Sequence, residues 1–287
     1  MQYKVSIKRK CYLLSVLLMT VWLTGCVQEE FESTPSPAGN GIRFTLTVPD
    51  VNLPSVSSRT MTGTGTAKKE DEIETVDILV FDMSKTPAVF LEWVSATGVT
   101  QDLADNSTVS FSAVLSPTTA STCIVVVANK ELDNIVSGFT KGATTKVEAM
   151  EKMLHTQTGK WLADGSTTGG YTRIPMYGEK VISKITPSMD PITGINMKRM
   201  LARIDIRNNS ATSNFTVEEV YLANYNTTGY IAPAWNTNGQ VTDPVPDTPV
   251  LPAGSGKKTE EGDAILYSVN GNTPYDGEIY TFESLAA

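Results

Sequence analysis

The sequence predicts a mainly β protein built from two β-sandwich domains in tandem, with one short helix in the first domain. Short apolar runs alternate with polar residues at a period of two, as in strands that bury one face. Turn residues separate these runs at short intervals, which is typical of sandwiches. Only residues 144–155 carry a clear helical period, with apolar residues three and four positions apart.

The N-terminal segment predicts export. Basic residues 8–10 precede an apolar run at residues 12–23, which is shorter than the ~20 residues that a membrane-spanning helix needs. The run closes with Leu23-Thr24-Gly25-Cys26, a small pair followed by a cysteine. This pattern predicts a lipoprotein signal peptide over residues 1–25, with lipid on Cys26. An ordinary secretory signal with an incidental cysteine is the alternative.

Residues 26–40 are acidic, rich in Pro and Ser and without periodicity, which predicts a flexible tether between the lipid and the folded body. The whole chain has a net charge of −8. Residues 1–25 contribute four basic and no acidic residues, so 19 basic and 31 acidic residues remain, a net charge of −12. This balance argues against nucleic acid as a partner and against electrostatic binding to anionic lipid.

The chemistry-bearing residues are few. Cys11 leaves with the signal and Cys26 takes lipid, so Cys123 stands alone in an apolar run, as an inert buried thiol does. His155 is the only histidine and falls at the end of the predicted helix, where it suits the helix dipole. Without a metal-ligand cluster, a phosphate-binding loop or a nucleophile motif, the sequence predicts no enzyme, no cofactor and no metal.

The first domain is predicted over residues 41–188. Its first strand alternates strictly and ends at Pro49, with one face made of Ile42, Phe44, Leu46 and Val48. A polar loop of about 20 residues follows, long for a compact domain, and it carries Arg59. Further strands are predicted at residues 75–82, 89–94, 108–115, 123–128 and 180–185. The run at 123–128 is apolar throughout, which predicts a central strand covered on both faces.

The second domain is predicted over residues 189–287. Its strand candidates are residues 197–206, 215–221, 265–269 and 279–282, and residues 236–263 are predicted as a long loop. Met200, Ala202, Ile204 and Ile206 are predicted to share one face. About four strands are fewer than a closed sandwich needs, so this domain is expected to be incomplete.

Several motifs in a fixed order resemble the Bacteroidetes fimbrillin families, the subunits of type V pili. After the lipoprotein signal, the alternating strand and the loop with its arginine, the matching segments are residues 74–82 (ETVDILVFD), 124–129 (IVVVAN), 174–179 (IPMYGE), 198–206 (KRMLARIDI) and 220–226 (VYLANYN). Each motif alone is weak, but their order spans residues 1–235 well.

The resemblance implies two transthyretin-like β-sandwich domains and a structural subunit of a cell-surface fimbria that supports adhesion. It implies an outer-membrane lipoprotein that an Arg-specific protease cuts beyond the first strand. Arg59 occupies the matching place, and Lys68 and Lys69 are rival basic sites. The first strand then leaves, and a strand of another fimbrial subunit fills its groove. An uncut first strand beside a solvated loop arginine is the alternative.

In related subunits more strands follow, including a C-terminal segment that donates itself to the next subunit. The chain is therefore expected to be either truncated or a divergent accessory subunit, and its donor role stays open. The alternative function is a permanently lipid-anchored surface module that binds a glycan or a host protein. Trp93, Trp161 and Trp235 would then stack on sugars, although core or rim positions are the more ordinary use of three tryptophans.

Overall fold

A computed structural model describes the folded body of the protein. The described residues are 42–47, 71–101, 108–157, 159–161, 173–206, 214, 216–242, 250–253, 257–258, 264–268 and 275–284. The predicted signal peptide and tether, with Cys26, lie outside these residues. So do Val48, the loop that carries Arg59, and Lys68 and Lys69.

The described residues are mainly β, as predicted. The strands are β1 (Ile42–Thr47), β2 (Val76–Asp82), β3 (Val89–Ser95), β4 (Thr97–Gln101), β5 (Thr108–Ala113), β6 (Thr122–Ala128), β7 (Leu154–Thr156), β8 (Met176–Ile182), β9 (Ile192–Asn196), β10 (Lys198–Arg199), β11 (Ala202–Ile206), β12 (Glu219–Leu222), β13 (Tyr225–Asn226), β14 (Thr228–Tyr230), β15 (Lys257–Lys258), β16 (Ile265–Ser268) and β17 (Tyr275–Thr281). The helices are α1 (Asp133–Val136) and α2 (Lys146–Lys152).

Two sheets face each other around an apolar core. One sheet has the strand order β4-β5-β1-β9, and the other has the order β10-β8-β6-β2-β3. Two of the crossings between the sheets use a single residue, Ala96 between β3 and β4 and Met197 between β9 and β10. Gly178 in β8 lies so close to β9 that a Cβ atom would approach Ile195 to 2.8 Å, so the two sheets pack closely only with glycine here.

The five-stranded sheet is covered on both faces. Its inner face packs on the four-stranded sheet through Ile78, Ile124 and Val126, and its outer face packs Leu79 and Val125 beneath both helices. Every residue of β6 is buried, which confirms the predicted central strand. The same strand carries Cys123, whose side chain has no exposed surface.

The predicted helix is shorter than its periodicity indicates. Thr145 caps α2: its hydroxyl accepts from the Glu148 N–H at 3.2 Å, and the Glu148 carboxylate accepts from the Thr145 N–H at 2.8 Å. The helix ends before Met153, and Leu154–Thr156 pairs with Thr228–Tyr230 as a strand. The prediction that His155 ends a helix is therefore wrong, because this pairing extends its backbone.

Two strand predictions are displaced by pairing partners. β8 runs from Met176 to Ile182, so it begins four residues and ends three residues earlier than the predicted strand at 180–185. The shift arises because β8 pairs with β6 along its whole length. The predicted strand at 197–206 is divided between β10, which pairs with β8, and β11, which pairs with β17. The prediction that residues 200, 202, 204 and 206 share one buried face is also wrong, since Met200 is buried while Ala202 and Ile204 are exposed.

Strands in the C-terminal part pair two by two among the described residues. β11 pairs with β17 and β12 with β16, and between them lies a small core of Tyr225, Ile265, Tyr267 and Ile279. β9 and β10, which follow residue 188, pair within the two larger sheets. The division into domains at residues 188 and 189 stays a prediction.

Candidate functional site: strand β1 and its groove

Strand β1 lies inside its sheet rather than at an edge. On one side it pairs antiparallel with β5, with Phe44 opposite Phe111 and Leu46 opposite Val109. On the other side it pairs parallel with β9, with Leu46 opposite Ile195. Both edges of a short N-terminal strand are thus hydrogen-bonded to strands that come much later in the chain.

One face of β1 fills the core between the sheets, as the alternation predicts. Ile42, Phe44 and Leu46 are buried, and Leu46 has no exposed surface. The Phe44 ring stacks on Phe111 with the centroids 5.0 Å apart and the planes 6° from parallel. Full burial of such a side chain contributes about 1.5–3 kcal/mol, so this face binds the strand firmly.

Removal of β1 would open a groove with a defined chemistry. Its floor would be the apolar side chains that share a core with Phe44 and Leu46, including Ile78, Val80 and Val126 of the opposite sheet. Its walls would be β5 and β9, with their backbone N–H and C=O groups unpaired. An extended segment with alternating apolar residues can bury its side chains against this floor and form backbone hydrogen bonds with both walls.

Cys123 lies in the buried, apolar environment that its sequence context predicts. Burial raises the pKa of the Cys123 thiol to about 11, which keeps it protonated and unreactive. Within the described part of the chain, no group of His, Cys, Asp and Glu could hold a metal ion. In the same residues no helix has the length and apolar character to cross a membrane.

A buried polar cluster beneath helix α2 was missed by the sequence analysis. The ammonium group of Lys146, 1% exposed, lies 2.6 Å from Oε2 of Glu179. The Tyr177 hydroxyl donates to the same oxygen at 2.5 Å. Burial and the nearby Glu179 charge raise the pKa of Tyr177 well above its usual value, so the phenol stays protonated. Nothing in a single sequence pairs a helix lysine with a strand glutamate 33 positions away.

The tryptophans contribute to packing. Trp161 is 3% exposed, and Trp93 and Trp235 are partly buried against the core on the outer face of the five-stranded sheet. The Trp235 ring makes an edge contact with Tyr230, with the centroids 4.8 Å apart. These positions are core and rim positions, which leaves little free aromatic surface for stacking on a sugar.

His155 lies in a partly buried aromatic cluster. Its ring centroid is 4.9 Å from that of Trp161 and 6.4 Å from that of Phe282. Its Nδ1 atom is buried and has no hydrogen-bond partner among the described residues. Burial, and to a lesser degree the positive charge of Lys130, lower the pKa of His155 to about 4. The imidazole is therefore neutral at pH 7.

We expect this histidine to make the fold sensitive to acid. In the unfolded chain it binds a proton near pH 6.5, but in the folded chain only near pH 4. Its contribution to stability is thus complete above pH 6.5 and is lost as the pH falls towards 4. After allowance for partial exposure, the loss is about 1–2 kcal/mol.

The measurement is urea denaturation at pH 7 and pH 4.5, with His155→Phe as the matched variant. Phenylalanine keeps the contacts with Trp161 and Phe282 and cannot titrate. The wild type should lose more stability than the variant between the two pH values. Equal losses would contradict the assignment, because the carboxylates common to both proteins would then explain the whole effect.

One known protein family matches most of the chain. The family described as major fimbrial subunit protein (FimA) matches residues 42–246, well over half of the chain. The chain belongs to this family. The match begins at the first residue of β1 and includes both large sheets, so the resemblance to fimbrillins is confirmed.

Solved structures give more distant similarities. A fimbrial assembly protein from Parabacteroides distasonis is 10% identical, with 85% of this chain and 77% of that protein covered and a TM-score of 0.39. A candidate cell adhesion protein from the same organism is 17% identical, with 87% and 72% covered and a TM-score of 0.46. A candidate polysaccharide-binding protein (DUF1812) from Bacteroides thetaiotaomicron is 12% identical, with 66% and 60% covered and a TM-score of 0.35. No curated protein matches the chain.

Proposed function

We propose that this fimbrial subunit is assembled by exchange of strand β1. In this proposal it is exported as a lipoprotein, anchored through Cys26 to the outer membrane on the cell surface, and cut after Arg59. The cut releases β1, and a strand of another fimbrial subunit takes its place. Membership of a fimbrial subunit family supports a structural role, with other subunits as partners, rather than an enzymatic one.

The observation that carries the proposal is the position of β1. It is paired on both edges and buries Ile42, Phe44 and Leu46, yet only the polar loop connects it to the rest of the chain on its C-terminal side. One cut in that loop leaves β1 held by noncovalent contacts alone. Those contacts are the ones that any strand of similar pattern makes.

The test is cleavage of the purified, unlipidated chain with an Arg-specific protease, followed by a strand-uptake assay. Intact mass gives the cut position, and a fluorescent peptide with the sequence of residues 42–48 serves as the incoming strand. We expect a cut after Arg59, release of the N-terminal fragment in mild denaturant and stable uptake of the peptide. Without the peptide, the cut protein should form oligomers or expose its core to an apolar dye.

Arg59→Ala is the matched control, because it removes the predicted site and leaves Lys68 and Lys69 in place. It should resist the protease and take up no peptide. The proposal would be overturned if the cut wild-type chain stayed monomeric and did not bind the peptide. If, in addition, the protein on cells keeps its N-terminal segment with Cys26, the permanently anchored binding module would be favoured instead.

A further inference from the structure

The segment that directly follows the predicted processing loop is fixed by side chains from four separate parts of the chain. Residues 71–74 contact four side chains from separate parts of the chain, which are Gln101 in β4, Asn129 after β6, Arg173 before β8 and Arg199 in β10. We call residues 71–74 together with these four side chains the 71–74 clamp. No part of β1 belongs to it.

Two side-chain amides take the place of neighbouring strands. On one side, Gln101 donates to the Asp71 carbonyl at 2.7 Å and accepts from the Ile73 N–H at 3.1 Å. On the other side, Asn129 donates to the Glu72 carbonyl at 2.8 Å and accepts from the Glu74 N–H at 3.0 Å. The segment is thus hydrogen-bonded along both edges, as a strand inside a sheet is.

Asn129 is suited to this task by its backbone. Its φ angle is 58°, in the left-handed region that asparagine tolerates better than most residues. Its amide nitrogen also donates to the Ile174 carbonyl at 3.0 Å, just before β8. One amide therefore ties the segment to the ends of two neighbouring strands of the five-stranded sheet.

Ion pairs and a buried side chain also fix residues 71–74. Arg199 pairs with the Asp71 carboxylate. Arg173 pairs with Glu72 at 3.2 Å and with Glu74 at 2.6 Å. Between these residues the Ile73 side chain is 5% exposed and joins the same core as Phe44 and Leu46. Partly exposed ion pairs add little individually, so the amides and Ile73 carry most of the fixation.

The clamp lies at the end of the groove where the loop leaves β1. Gln101 is opposite Val109 of β5, which is in turn opposite Leu46 of β1. Arg199 follows Met197 by two residues, and the Met197 N–H donates to the carbonyl of Thr47, the last residue of β1. The clamp therefore joins the four-stranded sheet, through Gln101, to the five-stranded sheet at the same level as the end of β1.

We propose that the 71–74 clamp holds the two sheets together at the mouth of the groove after β1 has left, so that the groove stays ready for an incoming strand. With β1 present, its pairing bridges β5 and β9 directly. Without it, the clamp still connects β4, and through it β5, to the opposite sheet. The clamp lies beyond the proposed cut after Arg59, so residues 71–74 stay with the folded body when β1 leaves. This inference rests on the proposed strand exchange.

The experiment compares peptide uptake by cut wild-type protein and two clamp variants. Asn129→Gly removes the amide and keeps the left-handed backbone accessible, and Gln101→Ala removes the amide on the other side. Thr145→Ala is the matched control, because loss of the α2 cap lowers stability to a comparable degree away from the clamp. Urea denaturation of the uncut proteins measures that general loss.

Uncut, all three variants should fold, with similar modest losses of stability. After the cut, each clamp variant should bind the residue 42–48 peptide about tenfold more weakly than wild type, as expected when a partly buried, doubly hydrogen-bonded amide is lost. Thr145→Ala should bind it as wild type does. A residue that only stabilises the uncut fold would not weaken peptide binding selectively in the cut protein.

Other outcomes overturn the inference. If either clamp variant binds the peptide as tightly as wild type, the clamp does not hold the groove, while strand exchange stands. If a clamp variant is already unfolded before the cut, the clamp is a general requirement for folding and not a device for the open state. If cut wild-type protein binds no peptide, the proposed function fails and the inference fails with it.

Discussion

Replacing Leu46 with aspartate is expected to lower the free energy of unfolding by about 4 kcal/mol or more. Leu46 has no exposed surface and lies among the apolar side chains of both sheets. A carboxylate there would lose its hydration without gaining a partner. Urea denaturation of the uncut chain measures the effect. In strand exchange the same substitution in the peptide should abolish its uptake, because the incoming strand needs the same alternation.

Thr47→Asp is the control for this prediction. It adds the same charge one residue further along β1, but the Thr47 side chain is exposed. The change should alter stability by no more than about 0.5 kcal/mol. If the two substitutions had similar effects, the inward face of β1 would not be what binds it, and the proposed groove would lose its physical basis.

Removing the carboxylate of Glu179 is expected to be the second large effect. Glu179→Ala leaves the Lys146 ammonium buried without its counter-charge and deprives the Tyr177 hydroxyl of its acceptor. Breaking a buried ion pair by removal of one partner costs about 3–5 kcal/mol. Thermal or urea denaturation at pH 7 should show the loss, together with weaker packing of α2 on the five-stranded sheet.

Two further variants separate the charge effect from lost packing. Lys146→Met with Glu179→Met replaces both charges with apolar groups of similar length. It should recover the part of the loss that comes from the unpaired Lys146 charge, while the Tyr177 hydroxyl still lacks its acceptor. Glu74→Ala removes one partner of an exposed pair, since the Glu74 side chain is 60% exposed, and should cost at most about 1 kcal/mol. A Glu179→Ala loss no larger than the Glu74→Ala loss would contradict the prediction.

Local pattern was enough for most of the strands in the two large sheets. β1, β2, β3, β5 and β6 were predicted within about two residues at either end, because each carries its burial pattern in its own side chains. Errors arose where a distant partner decides the structure. His155 looks like the end of a helix, and only pairing with β14 makes it part of a strand. β4 and β9 carry too weak an alternation to be predicted without their neighbours.

The candidate site also has features that the sequence predicts and features that only the structure shows. The inward face of Ile42, Phe44 and Leu46 follows from sequence alternation alone, and the order of motifs indicated the family. Cys26, Arg59 and Val48 stay predictions outside the described residues. The Lys146–Glu179 pair and the 71–74 clamp join residues far apart in the chain, so no local pattern announces them.

The sequence by itself determined which residues of β1 face the core, because a period of two fixes the face of a strand whatever its partners are. It also determined that the chain is acidic and has a single histidine, which argues against nucleic acid as a partner and against His-based catalysis. Only the tertiary structure decided that β1 lies between β5 and β9, and that amide side chains hold the chain beyond the loop. Strand partners and side-chain contacts are set by long-range packing, which a single sequence does not encode in any local period.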